Sequence, residues 1–164
     1  MLAYQKGDAA AFECLYHRHK DALFSFLYRS FPREAVIEEI AQETWMAVIN
    51  RVSQYQPTAR FKTWLYQIAR NRLADYWRRK DNQHQSMDSV PEPSVNNVEA
   101  NVLGQDVLTA IGRLPNEQKD ALLLHEQGFT YREIADITGA LEETVKSRLR
   151  YGRKELRAQL GGLA

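Results

Sequence analysis

Cys14, His17 and His19 stand close together in this chain with side chains for metal or proton chemistry. Cys14 and His17, three apart, share a face of a helix, but His17 and His19, two apart, point to different sides. Two ligands fall short of a metal site. No Gly-rich phosphate loop or pair of catalytic carboxylates accompanies them. The sequence therefore predicts no enzyme, no metal and no cofactor. Its reactive surface is of another kind. "ETVKSRLRYGRKEL", residues 143–156, opens a run in which six basic side chains, from Lys146 to Arg157, face Glu155 alone. On a helix, Val145, Leu149, Gly152 and Leu156 recur at four, three and four residues and form the inner face. Glu143, Ser147, Arg150 and Lys154 lie opposite, flanked by Lys146, Tyr151 and Arg153. A B-DNA major groove accepts one such helix, and Arg, Lys and Ser reach base edges there. A basic helix lying on a membrane or an acidic partner is the alternative.

A second constellation runs from Phe61 to Lys80. Leu65, Ile68, Ala69, Leu73 and Tyr76 cluster on one face. The opposite face carries Trp64, Gln67, Asn71, Asp75 and Arg78 at spacings of three and four. An aromatic face stacks on an unpaired base for about 1–3 kcal/mol, and amides read base edges. Arg78, Arg79 and Lys80 would hold phosphates nearby. The competing reading packs Trp64 under the loop at Pro57. A third face, Glu39, Gln42, Glu43, Met46 and Asn50, is acidic and amide-rich with one exposed methionine. DNA would repel it and a protein partner would suit it, with simple solvation as the alternative.

These residues need helices to position them. The chain has 164 residues, 44% hydrophobic and 26% charged, enough for one ordinary domain or two very small ones. No apolar run is long enough to cross a bilayer, no signal-peptide pattern opens the chain, and the lone Cys14 allows no internal disulfide. A cytosolic protein is expected. The net charge is only +1, but it is segregated. Arg51 to Lys80 holds eight basic residues against Asp75, and Asp81 to Glu143 holds twelve acids against Arg113, Lys119 and Arg132. Two polyanion contacts with a repelling middle follow from that order.

Helical periodicity dominates, so an all-α fold of two small domains is expected. Asp8 caps a helix with the stripe Phe12, Leu15, Tyr16, His19, Leu23, Phe26 and Leu27. Pro32 opens a second, with Ile37, Ile40, Ala41, Thr44, Val48 and Val52 on one side. The third runs from about Phe61 to Lys80, and "KDNQHQSMDSVPEPSVNNVEAN" reads as an acidic flexible linker, residues 81–101. Helices return over 102–112 and 115–126. Two short helices then break at Gly139. Thr130 and Glu133 form a capping box for the first of the pair, and Glu142 and Glu143 sit at the positive end of the second. A short helix, a Gly-containing turn and a basic helix make a helix-turn-helix.

"EEIAQETW", "FKTWLYQIARNRLADYWRR", "LPNEQKDALLLHEQGFTYREIA" and "ETVKSRL" resemble, in order, the extracytoplasmic-function (group IV) sigma factors of bacterial RNA polymerase. The resemblance implies a region 2 domain over residues 1–80, the linker, and a region 4 domain over 102–164, with no region 1.1 or folded region 3. It puts a clamp-binding surface for core RNA polymerase on Glu39, Gln42, Glu43 and Met46. It puts the −10 reader on Tyr55, Arg60, Lys62, Trp64, Gln67, Asn71, Arg78 and Arg79, with Trp64 as the wedge at the upstream edge of the bubble. Thr144, Lys146, Ser147, Arg148, Arg150, Tyr151, Arg153 and Lys154 become the −35 reader. Promoter DNA and core polymerase are the implied partners, with an anti-sigma factor beside them and no small-molecule substrate. Two departures stand out. The family usually has Arg then Ala where this chain has Tyr151 then Gly152, and Leu141 stands where a capping Ser or Pro is common. A stand-alone helix-turn-helix regulator is the alternative function.

Overall fold

The structure is a computed structural model that describes residues 1–84 and 102–161. Every described element is helical, as expected, with no strand among the described residues. The greater part of the expected linker, residues 85–101, lies outside them. Four α-helices come first: α1 (Leu2–Gln5), α2 (Ala9–Ser30), α3 (Glu34–Asn50) and α4 (Phe61–His84), with a 3₁₀ turn over Val52–Gln54. Then come α5 (Val102–Gly112), α6 (Asn116–Glu126), α7 (Tyr131–Thr138) and α8 (Glu142–Gly161). The chain divides into two compact units, one built mainly on α1 to α4 and the other on α5 to α8.

In the first unit Asp8 does cap α2: its Oδ1 accepts from the backbone N–H of Ala10 at 3.1 Å and of Ala11 at 3.3 Å. Leu15, Leu23, Phe26 and Leu27 of the expected stripe are buried, but Tyr16 stays 36% exposed. On α3 the buried residues are Ile37, Ile40, Thr44, Trp45, Ala47 and Val48. Trp45 thus enters the core beside the expected stripe, because α3 is covered over a wider arc than one row of residues. Thr44 would leave a buried hydroxyl unsatisfied, and donates it to the carbonyl of Ile40 at 2.7 Å. α4 supplies Leu65, Tyr66, Ile68, Ala69 and Leu73. Tyr66 packs its ring 5.2 Å from that of Phe26, and burial pushes its hydroxyl pKa above the ordinary tyrosine value.

The second unit packs α8 on α5, α6 and α7. Its core contains Leu114, Leu124, Phe129, Ile134, Ile137, Val145 and Leu149. Each such aliphatic chain taken out of water contributes about 1.5–3 kcal/mol before entropy is counted. α8 is not short, as expected from its break at Gly139, but 20 residues long. Its polar, basic outer face carries no Pro or turn signal that would stop it.

Candidate nucleic-acid and protein interfaces

α7 is only eight residues long, too short to persist without its ends tied. Thr130 Oγ1 accepts from the Glu133 backbone N–H at 3.2 Å, and Glu133 Oε1 accepts from the Thr130 backbone N–H at 3.3 Å. At the other end Gly139 takes φ +69°, the left-handed conformation that closes the helix. The chain then enters α8 through Leu141, 76% exposed, with Glu142 and Glu143 in the first turn.

On α8 the side chains of Lys146, Arg150, Tyr151 and Lys154 are brought together on an exposed face, with Thr144, Ser147 and Arg153 half-buried at its edges. Lys146 Nζ donates to Glu143 Oε1 at 2.9 Å, and that bond holds the ammonium pKa above its ordinary value. The Arg150 guanidinium lies over the Tyr151 ring, 5.1 Å from its centroid. Arg153 reaches His125 Nδ1 at 3.4 Å. Arg148 is set apart from this group. Its side chain is 21% exposed and pairs with Glu117 of α6 at 3.5 Å. Gly152 is buried against α6, where a Cβ would stand 2.8 Å from Leu122 Cδ1.

In the first unit, residues 56–60 form an exposed loop leading into α4. Tyr55 lies beneath it, 8% exposed, and donates its hydroxyl to the carbonyl of Ala59 at 3.2 Å. Its ring meets that of Trp64 at 5.3 Å and that of Phe61 at 6.3 Å. Trp64 is half-buried in this cluster, between the two readings of its sequence position. Gln67 and Asn71 continue its face in the open, and Arg60, Arg78 and Arg79 are exposed. Arg78 pairs with Asp75 on the surface. Lys62 lies over the Tyr66 ring at 5.7 Å. His19 packs on Phe61 at 5.5 Å, and burial, with Arg18 and Lys62 nearby, lowers its pKa. The sequence reading missed Gln5, whose Nε2 donates to the carbonyls of Val52 at 2.8 Å and Tyr55 at 2.6 Å. A bond across about fifty residues leaves no local signal.

The third surface is a groove of about 540 Å³ between α2 and α3, lined by Phe12, Tyr16, Phe24, Trp45, Met46 and Ile49 among others, with Lys20, Asp21 and Gln42. Tyr16 and Phe12 hold the Trp45 ring edge-on at 5.1 and 6.1 Å. Met46 is 54% exposed beside Gln42, with Glu39 exposed and Glu43 half-buried on the same helix.

Two family models match the chain: Sigma-70 region 2 over residues 15–83, and Sigma-70 region 4 over residues 104–156. The ECF RNA polymerase sigma factor RpoE of Cereibacter sphaeroides is 32% identical, across 93% of this chain and 88% of its own. The chain belongs to the ECF RNA polymerase sigma factors. SigE of Mycolicibacterium smegmatis is also 32% identical, over 94% of this sigma factor, which spans 64% of SigE's length. CarQ of Myxococcus xanthus is 29% identical, covering 99% and 97% of the two chains. Among solved structures, the sigma factor RpoE in complex with the anti-sigma factor NepR from Bartonella quintana superposes with a TM-score of 0.83 at 26% identity, over 92% of this chain and 97% of that one. CnrH in complex with the cytosolic domain of CnrY, at 23% identity and a TM-score of 0.77 over 98% and 94%, shares the fold. The region 2 match thus falls on α2 to α4 and the region 4 match on α5 to α8.

Proposed function

We infer that this ECF sigma factor binds core RNA polymerase and places it on promoters through two DNA readers, one for duplex and one for opened strand. The observation that carries this reading is the pairing, in one chain, of a capped helix-turn-helix with an aromatic cluster under an exposed polar loop. The α8 face of Lys146, Arg150, Tyr151 and Lys154 supplies the charge and donors for a −35 duplex. The Arg150–Tyr151 stack puts a planar donor where the family usually has its arginine. Arg148, paired with Glu117, then steadies α8 on α6.

The loop over residues 56–60 and the Trp64, Gln67 and Asn71 face take the −10 strand after melting. A flipped base costs a few kcal/mol of lost stacking, which pocket contacts must offset. Tyr55, being buried, serves by shaping the loop, while Trp64 offers its exposed edge as the wedge. Arg60, Lys62, Arg78 and Arg79 neutralise phosphates along the path. The face of Glu39, Gln42, Glu43 and Met46, beside the apolar groove, is the clamp-binding surface. An anti-sigma factor, as in the NepR complex of the Bartonella relative, would compete with polymerase for this chain. The protein acts in the cytoplasm, on the nucleoid when bound to polymerase, and adds no catalytic chemistry of its own. A stand-alone regulator would account for α7 and α8 and leave the Trp64 face without a use.

Mixing decides between these readings. Purified chain added to core polymerase should co-elute with it and give discrete transcripts from genomic DNA. Failure to bind core polymerase, with duplex binding retained, would favour the regulator.

A further inference from the structure

Gln5 belongs to a helix of four residues, which has no stability of its own in water. Two anchors keep it in place. Gly7, at φ +96°, turns the chain so that the backbone N–H of Asp8 reaches the carbonyl of Ala3 at 3.1 Å, and Asp8 then caps α2. The Tyr4 ring meets Phe12 of α2 at 5.1 Å. From this fixed position the primary amide of Gln5 uses both of its N–H donors on two carbonyls three residues apart, Val52 and Tyr55. The intervening 3₁₀ turn keeps an ordinary Gln54 N–H to Arg51 carbonyl bond at 2.9 Å, but its closing Tyr55 N–H to Val52 carbonyl bond is long, at 3.4 Å. Tyr55 is therefore gripped at both ends: its carbonyl by Gln5, its hydroxyl by the carbonyl of Ala59. Between those grips the chain has only exposed residues, Gln56 to Thr58.

The geometry points to Gln5 as a positioning residue for the opened-strand reader. Its amide fixes where the loop leaves the 3₁₀ turn, and so fixes the spacing between the loop and the Tyr55–Trp64 pair that a flipped base would enter. This rests on the −10 reading of that loop. Removing the two donors leaves the side chains of the pocket intact but lets their backbone drift. Selectivity between bases depends on placement at the scale of a hydrogen bond, whereas phosphate attraction tolerates drift. Gln5 thus governs which base is preferred more than how tightly DNA is held.

The test uses the full chain assembled with core polymerase and a fork-junction DNA pool. The pool is randomised in its upstream duplex and in its unpaired non-template segment, and bound molecules are sequenced. Gln5→Met, close in size but without donors, should enrich the same duplex sequence as the parent. Its enrichment for the preferred unpaired base should fall about tenfold, within the roughly thirtyfold that two ordinary hydrogen bonds are worth. Unchanged enrichment would overturn the role of Gln5. Trp64→Ala and Asn71→Ala are run beside it. If neither alters the unpaired-base preference, the −10 reading itself fails and takes the inference with it. If both do and Gln5→Met does not, only the inference falls. Amide hydrogen exchange on the free variant should quicken at Gln54 and Tyr55 alone, whose N–H groups close the 3₁₀ turn. Quickening throughout α2 to α4 would make Gln5 a general brace and would also overturn the proposal.

Discussion

At Gly152 α8 packs closely on Leu122 of α6, and the absence of a side chain is what permits it. Alanine there would recover up to about 1 kcal/mol of helix propensity. Its Cβ would press Leu122, which is half-buried and can swing its Cδ1 aside. Gly152→Ala should therefore change stability by no more than about 1 kcal/mol. Gly152→Val, with two more carbons in the same space, should cost about 1–3 kcal/mol. Urea unfolding of the two variants checks both values. On the outer face the lysines are not equivalent. Lys154→Ala should flatten the salt dependence of −35 duplex binding by about one ion. Lys146→Ala should flatten it less, since Glu143 at 2.9 Å already meets that charge. Equal slopes for the two variants and the parent would mean that neither ammonium touches phosphate.

At the scale of the element, α7 shows how much a terminus can matter. Thr130→Ala removes one half of the capping box and should lower stability by about 1 kcal/mol, seen as a lower midpoint in thermal unfolding of the second unit. A midpoint equal to the parent's would show that packing of Ile134 and Ile137 alone holds the helix. This cap was legible in the sequence because both partners lie within one turn. The core stripes of α2 and α4 and the basic face of α8 were legible for the same reason, since periodicity reports on neighbours along a helix. Trp45 was not, because its burial depends on Phe12 and Tyr16 arriving from another helix. Arg148 was read with its basic neighbours and instead meets Glu117, a pairing that only the packing of α6 on α8 creates. Gln5 lies further still from any local rule, its partners being 47 and 50 residues away.

At the scale of the whole molecule, the two readers are expected to fail separately. Trp64→Ala should leave core-polymerase binding intact and reduce strand opening, scored by permanganate reactivity of bubble thymines in the assembled holoenzyme. Parent-like reactivity would remove Trp64 from melting. The separation is already visible in where the charge lies, with eight basic residues from Arg51 to Lys80 and six from Lys146 to Arg157, set against a net charge of +1. A chromosome offers roughly 10⁶–10⁹ competing sites, each able to hold a uniformly basic protein by counter-ion release. A chain whose positive faces are balanced by its own acids is not sequestered on that excess. It stays free to partition to polymerase first, and to meet promoter DNA as part of that assembly.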